Sequence, residues 1–148
     1  MQRTGLKRGG KGNEKYYTKP EVVNKCLEEF KKLNIDKTTD VVIEPSAGNG
    51  SFTTRLVEYN SISYDIVPEG ENIIEQDFLK LDLTARFQIP LHFIGNPPFG
   101  LRGQLALKFI NHAATFCDYV AFILPQLFES DGKGVPRKRV IGLNLIHS

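Results

Sequence analysis

The sequence predicts an α/β fold, a mostly parallel open sheet with helices on both faces. Three observations carry that prediction. Short runs rich in β-branched residues alternate with amphipathic stretches or helix-length connections. The first run, Asp40-Val41-Val42-Ile43-Glu44, is apolar on both faces, as a strand buried between two layers must be. The Gly- and Pro-rich segments fall directly after such runs, at the strand ends where open α/β sheets bind ligands.

The elements follow in order. Residues 1–15 are rich in Gly and Lys with almost no apolar content, and they read as a basic flexible arm. Thr18-Lys19-Pro20-Glu21 has a capping-box arrangement with a proline in the first turn. Val22, Val23, Cys26, Leu27, Phe30 and Leu33 then recur at helical spacing, predicting a helix of about 14 residues packed on one face. After the strand at 40–44, a short helix is expected to carry Phe52, Leu56 and Val57. Ile62–Ile66, Asn72–Gln76 and His92–Gly95 read as the second, third and fourth strands. Leu105, Ala106, Phe109, Ile110 and Ala113 mark a second amphipathic helix within 103–116. Tyr119–Pro125 reads as a fifth strand and Val140–Ile146 as a sixth, with a basic loop between them.

Composition narrows the classes. At 148 residues, with 41% apolar and 24% charged residues, the chain suits one globular domain. No apolar run nears the roughly 20 residues that span a bilayer, and the N-terminus shows no secretory apolar segment. Two cysteines 91 positions apart make no disulfide framework. No CxxC or HxxxH pair suggests a metal site, so none is expected. The expected compartment is reducing, cytoplasmic or nuclear. The net charge of +2 is uneven: residues 1–15 carry +4 and residues 130–148 carry +3, leaving an acidic middle at −5. Basic ends on an acidic body suit a polyanionic partner, and solubilising tails are the alternative.

Four segments carry candidate chemistry. Glu44-Pro45-Ser46-Ala47-Gly48-Asn49-Gly50-Ser51-Phe52 is a glycine loop after a strand. Its glycines allow a close backbone approach to a ligand, and its leading carboxylate suits a cationic ligand better than a phosphate. An ordinary strand-to-helix turn is the alternative. Asp65 lies 21 residues beyond Glu44, about where an acid meets the ribose hydroxyls of a nucleoside, unless it is merely a solvated strand end. Asp77 can accept a bond from an adenine amine with Phe78 beside the ring, or it can cap a turn. Asn96-Pro97-Pro98-Phe99 combines rigid prolines, carbonyl acceptors and an aromatic face. That set suits a planar heterocycle carrying an amine, a structural Pro-Pro turn being the alternative.

In this order the four segments resemble the S-adenosylmethionine-dependent methyltransferases that methylate the exocyclic amine of adenine in DNA. The resemblance covers about residues 16–128 and implies a Rossmann-like methyltransferase fold. It implies that Glu44 to Gly50, with Pro45, Ser46, Ala47, Gly48 and Asn49, bind S-adenosylmethionine, as do Ile66 and Phe78, with Asp65 at the ribose and Asp77 at the adenine. Tyr17 and Thr18, in Tyr16-Tyr17-Thr18-Lys19-Pro20-Glu21, would cap its methionine end. Asn96, Pro97 and Phe99 would be catalytic, acting on a flipped base. Pro98, with the basic residues Lys133, Arg137, Lys138 and Arg139, would bind substrate, DNA ahead of RNA. Only 20 residues follow Phe128, so a target-recognition domain is expected to be absent. The closing hairpin of the fold is expected to be cut short, with target recognition left to a separate subunit or domain. The same proline motif resembles enzymes that methylate guanine amines in RNA or glutamine amides in protein. A non-catalytic nucleic-acid-binding subunit of the same fold is the reading from another class.

Overall fold

The computed structural model describes residues 19–84, 89–117 and 119–124. Within them, helix α1 (Pro20–Lys31) leads to strand β1 (Val41–Glu44), then β2 (Asn60–Asp65) and β3 (Ile73–Glu75). Strand β4 (Leu91–Gly95), helix α2 (Gln104–Ala114) and strand β5 (Tyr119–Phe122) follow. Every strand pair is parallel, and the order across the sheet is β3-β2-β1-β4-β5. The chain winds outward from β1 to β3, then returns to lay β4 against the other side of β1. The β1/β4 boundary is therefore the switch point of the sheet, where adjacent strand ends open a crevice.

Alternation along the strands divides the core into two layers. Val41, Ile43, Tyr64 and Phe93 face α2 and bury Phe78, Leu83, Phe109 and Ala113. Val42 and Ile94 face the other way and bury Val23, Leu27 and Phe30 of α1 together with Phe52, Leu56 and Tyr59. One helix thus covers each face. A smaller cluster of Ala106, Leu107 and Ile110 on α2 receives Phe99, Phe122 and Leu124. At the amino end of β1, His92 bonds Asp40 at 2.9 Å, and both are buried. The bond to His92, ahead of bonds from the preceding turn, holds the Asp40 carboxyl below its ordinary range against the opposing effect of burial.

Several local expectations need correction. Helix α1 is capped at Lys19, whose extended backbone precedes Pro20 in the first turn, and no side chain caps it. Thr18 lies outside the described residues. The helix has 12 residues, so Leu33 packs from the following turn. Val22 is exposed because the buried stripe runs through Val23, Leu27 and Phe30. The short helix after the glycine loop is a single 3-10 turn, Thr53–Arg55. Phe52 and Leu56 are buried, but Val57 is exposed, since the chain extends into β2 only three residues later. Strand β3 starts at Ile73, because Asn72 takes a positive φ of 62°. The expected sixth strand and the arm at 1–15 lie outside the described residues.

Phe93 sits at the centre of the α2-side core with its ring 5.5 Å from that of Phe78. Phe93→Ala should lower the unfolding free energy by about 3–5 kcal/mol. Urea titration followed by circular dichroism reads this directly, and a loss under about 1 kcal/mol would contradict the packing described.

Candidate functional site

Glu44 ends β1 and is wholly buried. Thr53 Oγ1 donates to its Oε1 at 2.7 Å, and Ser63 Oγ, on the neighbouring strand, lies 3.3 Å from the same oxygen. The two hydroxyls are themselves 2.9 Å apart. Burial pushes the Glu44 carboxyl up to about 7; the two hydroxyl bonds pull it down, and the charge of Asp65 raises it further. On the β4 side, Gly95 presses close: a Cβ there would lie 3.3 Å from Glu44 Cγ, and its φ of 148° is unfavourable for other residues. Only a glycine lets β4 end beside this carboxyl.

The loop after Glu44 is held by β2. Ala47 N donates to the Tyr64 carbonyl at 2.8 Å, and Gly48 N donates to Asp65 Oδ2 at 2.7 Å. Asp65 Oδ1 accepts from Val67 N at 2.8 Å. Asp65 is only 6% exposed, which excludes the solvated strand-end alternative. Gly48 has φ 58°, and a Cβ added to it would meet nothing within 4 Å, so the loop opens onto free space there. From the outside, Glu69 N bonds the Gly48 carbonyl at 3.0 Å. Gly70 lies so close that a Cβ would fall 2.8 Å from the Asn49 carbonyl oxygen. Asn49 turns its side-chain oxygen back onto Ser51, and Gly50 N closes on the Ala47 carbonyl. Pro45 and Ala47 are buried and Ser46 is half-buried.

The proline motif meets this loop across the switch point. Ser46 Oγ donates to the Asn96 carbonyl at 3.0 Å, joining the β1 and β4 ends. Asn96 is half-buried, Pro97 is buried and Pro98 is half-buried. The Phe99 carbonyl accepts from Leu105 N and Ala106 N and so starts α2, while its ring rests partly buried against the cluster of Ala106, Leu107 and Ile110.

The remaining expectations divide. Asp77 accepts from Leu79 N at 3.1 Å and caps the turn Phe78–Lys80. Phe78 is 1% exposed and packs at tilted or edge-on angles against Phe93, Phe109 and His112 in the core. The turn capped by Asp77 directs its ring into the core. Ile66 is 58% exposed beside Asp65. His112 Nε2 bonds the Leu81 carbonyl at 2.7 Å. Tyr17, Thr18, Lys133, Arg137, Lys138 and Arg139 lie outside the described residues.

The sequence reading missed Thr53, Ser63, Gly70 and the Ser46–Asn96 bond. Ser63 is found only through register, since Glu44 pairs with Ser63 across β1 and β2. Among the described residues no helix is long and apolar enough to cross a membrane, and no three His, Cys, Asp or Glu side chains converge as a metal site requires. In comparisons with known proteins, no protein-family model and no curated protein matches the chain.

Glu44 has a testable signature. Its folded pKa is raised, so the folded state holds a proton that the unfolded state releases as pH climbs from about 4.5 to about 7. Stability therefore falls as pH rises through that window, by roughly 3 kcal/mol in all. Glu44→Gln should remove most of this slope, as read by urea unfolding at pH 4 and pH 8. An equal slope in both proteins would show that Glu44 ionises as it does in water.

Proposed function

We propose that the chain is a methyltransferase that moves a methyl group from S-adenosylmethionine to the exocyclic amine of adenine in DNA. The observation that carries this reading is the Ser46–Asn96 bond at the switch point, which sets the glycine loop and the Asn-Pro-Pro-Phe motif side by side. A glycine loop alone suits many ligands. Joined to a rigid set of carbonyl acceptors, it suits transfer from a bound nucleoside to a planar amine.

The residues present fit the cofactor by their chemistry. The space over Gly48 accepts a ligand against the backbone. Asp65 supplies negative charge to a cationic ligand beside the loop that its backbone bonds shape. Exposed Ile66 beside Asp65 offers an apolar face to a heterocycle. When bound, S-adenosylmethionine supplies an electrophilic methyl group on a positively charged sulfur.

This chain's part is orientation. The Asn96 side-chain oxygen and the Pro97 carbonyl accept the two protons of the target amine, aiming its lone pair and drawing it out of conjugation with the ring. Pro97 and Pro98 remove backbone donors that would compete for those acceptors, and their fixed φ keeps the carbonyls in place. Positioning of this kind is worth up to about 7–11 kcal/mol. Phe99, with its ring seated on α2, offers a partly buried face on which a base stacks. The basic residues at 130–139 and the arm at 1–15 supply charge for a polyanion.

Binding and transfer are separable. Asp65→Ala removes two charge-assisted bonds that shape the loop, each worth about 1.5–3 kcal/mol, and should weaken cofactor binding about tenfold or more by calorimetry. Asn96→Ala should hold cofactor affinity within a few fold and abolish labelled methyl transfer to DNA. A wild-type chain that binds no S-adenosylmethionine would end this reading. One that binds it and labels only RNA or protein would correct the substrate.

A further inference from the structure

The turn after the proline motif has two unusual features. Leu101 is 78% exposed although it lies just two residues beyond Phe99. Arg102 has φ 54° and ψ 28°, left-handed backbone that is unfavourable for a residue with a long side chain. The other non-glycine residue with positive φ among those described is Asn72, a type that tolerates this region through local bonding. Arginine has no such relief. Strain of this kind persists where the surroundings impose it, and it gathers at sites of function.

The surroundings do impose it. On one side Gly100, at φ 71°, has no room for a side chain, since a Cβ would lie 2.7 Å from that of Leu105. On the other, Gly103 N bonds the Gly100 carbonyl at 3.3 Å, and the first N–H groups of α2 are held by Phe99. The chain is pinned at both ends of a two-residue tip, which presents one aliphatic and one cationic side chain to solvent. Among the described residues Arg102 makes no side-chain hydrogen bond or ion pair.

We propose that this tip engages duplex DNA beside the extruded nucleotide, with Leu101 filling the gap left in the stack and Arg102 binding a flanking phosphate. The proposal rests on the reading of the site as a DNA amine methyltransferase. A base leaves the duplex at the cost of its stacking and pairing, and an aliphatic side chain inserted in its place recovers apolar contact. Two residues of chain span at most about 7 Å, or about two base steps at 3.4 Å each. A side chain two positions beyond Phe99 is therefore within reach of the neighbours of a base stacked there. The planar guanidinium of Arg102 matches phosphate geometry, with paired N–H donors that a phosphate accepts.

The test compares one adenine in a duplex and in the corresponding single strand, using the full chain. Leu101→Ala should lower the duplex-to-single-strand ratio of methylation rates about tenfold, because an unstacked base needs no wedge. Arg102→Gly relieves the left-handed strain, so its melting temperature should hold or rise. Its log–log salt slope for duplex binding should nonetheless fall by about 0.9, the loss of one phosphate contact. Arg102→Lys should keep the slope. An unchanged ratio in Leu101→Ala, or an unchanged slope in Arg102→Gly, would overturn the proposal while leaving the methyltransferase reading intact. Duplex binding by the wild type without methyl transfer would overturn that reading instead, and the Arg102 slope would then judge the tip. A wild type that binds no duplex would overturn the tip itself.

Discussion

Asp65 holds the upper end of this molecule together. Its carboxylate takes the backbone N–H of Gly48 on one oxygen and that of Val67 on the other, each in a short, charge-assisted bond. Gly48 is in the left-handed region, where its N–H has no partner in a regular element; Asp65 provides one. The loop after β1 and the turn after β2 thereby become one surface. Ser46 can meet Asn96 because that surface is already fixed. The buried charge of Asp65 also adds to the difficulty of ionising Glu44, so the shape of the loop and the proton on its neighbour are linked.

Much of this architecture was legible in the sequence because its period is simple. Val41-Val42-Ile43 is apolar on both faces, and only a strand between two layers buries all three. Val23, Leu27 and Phe30 mark a helix face by spacing alone. The errors came where local patterns competed with the reach of the chain. Val57 continues an apolar spacing that the approach of β2 cuts short.

The candidate site was legible at its strand ends and obscure in its depth. Glu44, Asp65 and Asn96 each follow an apolar run, so one-dimensional reading found them. Ser63 reaches Glu44 through strand register and Thr53 from the turn after the glycine loop, and a sequence displays neither. Phe78 shows the converse. It follows a candidate acid and looks available, yet the turn capped by Asp77 sends the ring into the core. A residue's distance from a motif along the chain says little about which side of the backbone it occupies.

The parallel pairing of β1 with β4 also bears on how the chain folds. Val41 lies opposite Leu91, so this central contact closes a loop of 50 residues, whereas β1 and β2 pair across 19. The entropic cost of closure rises only as about (3/2)RT ln n. Long-range parallel pairings are nonetheless the slow steps of folding, because many residues must be ordered before any ladder forms. The half-sheet of β1, β2 and β3, with the glycine loop and Asp65, therefore has a shorter path to its native form than the half that brings Asn96. Ser46 gains its partner only when β4 docks, so the junction that defines the crevice depends on the longer of the two closures.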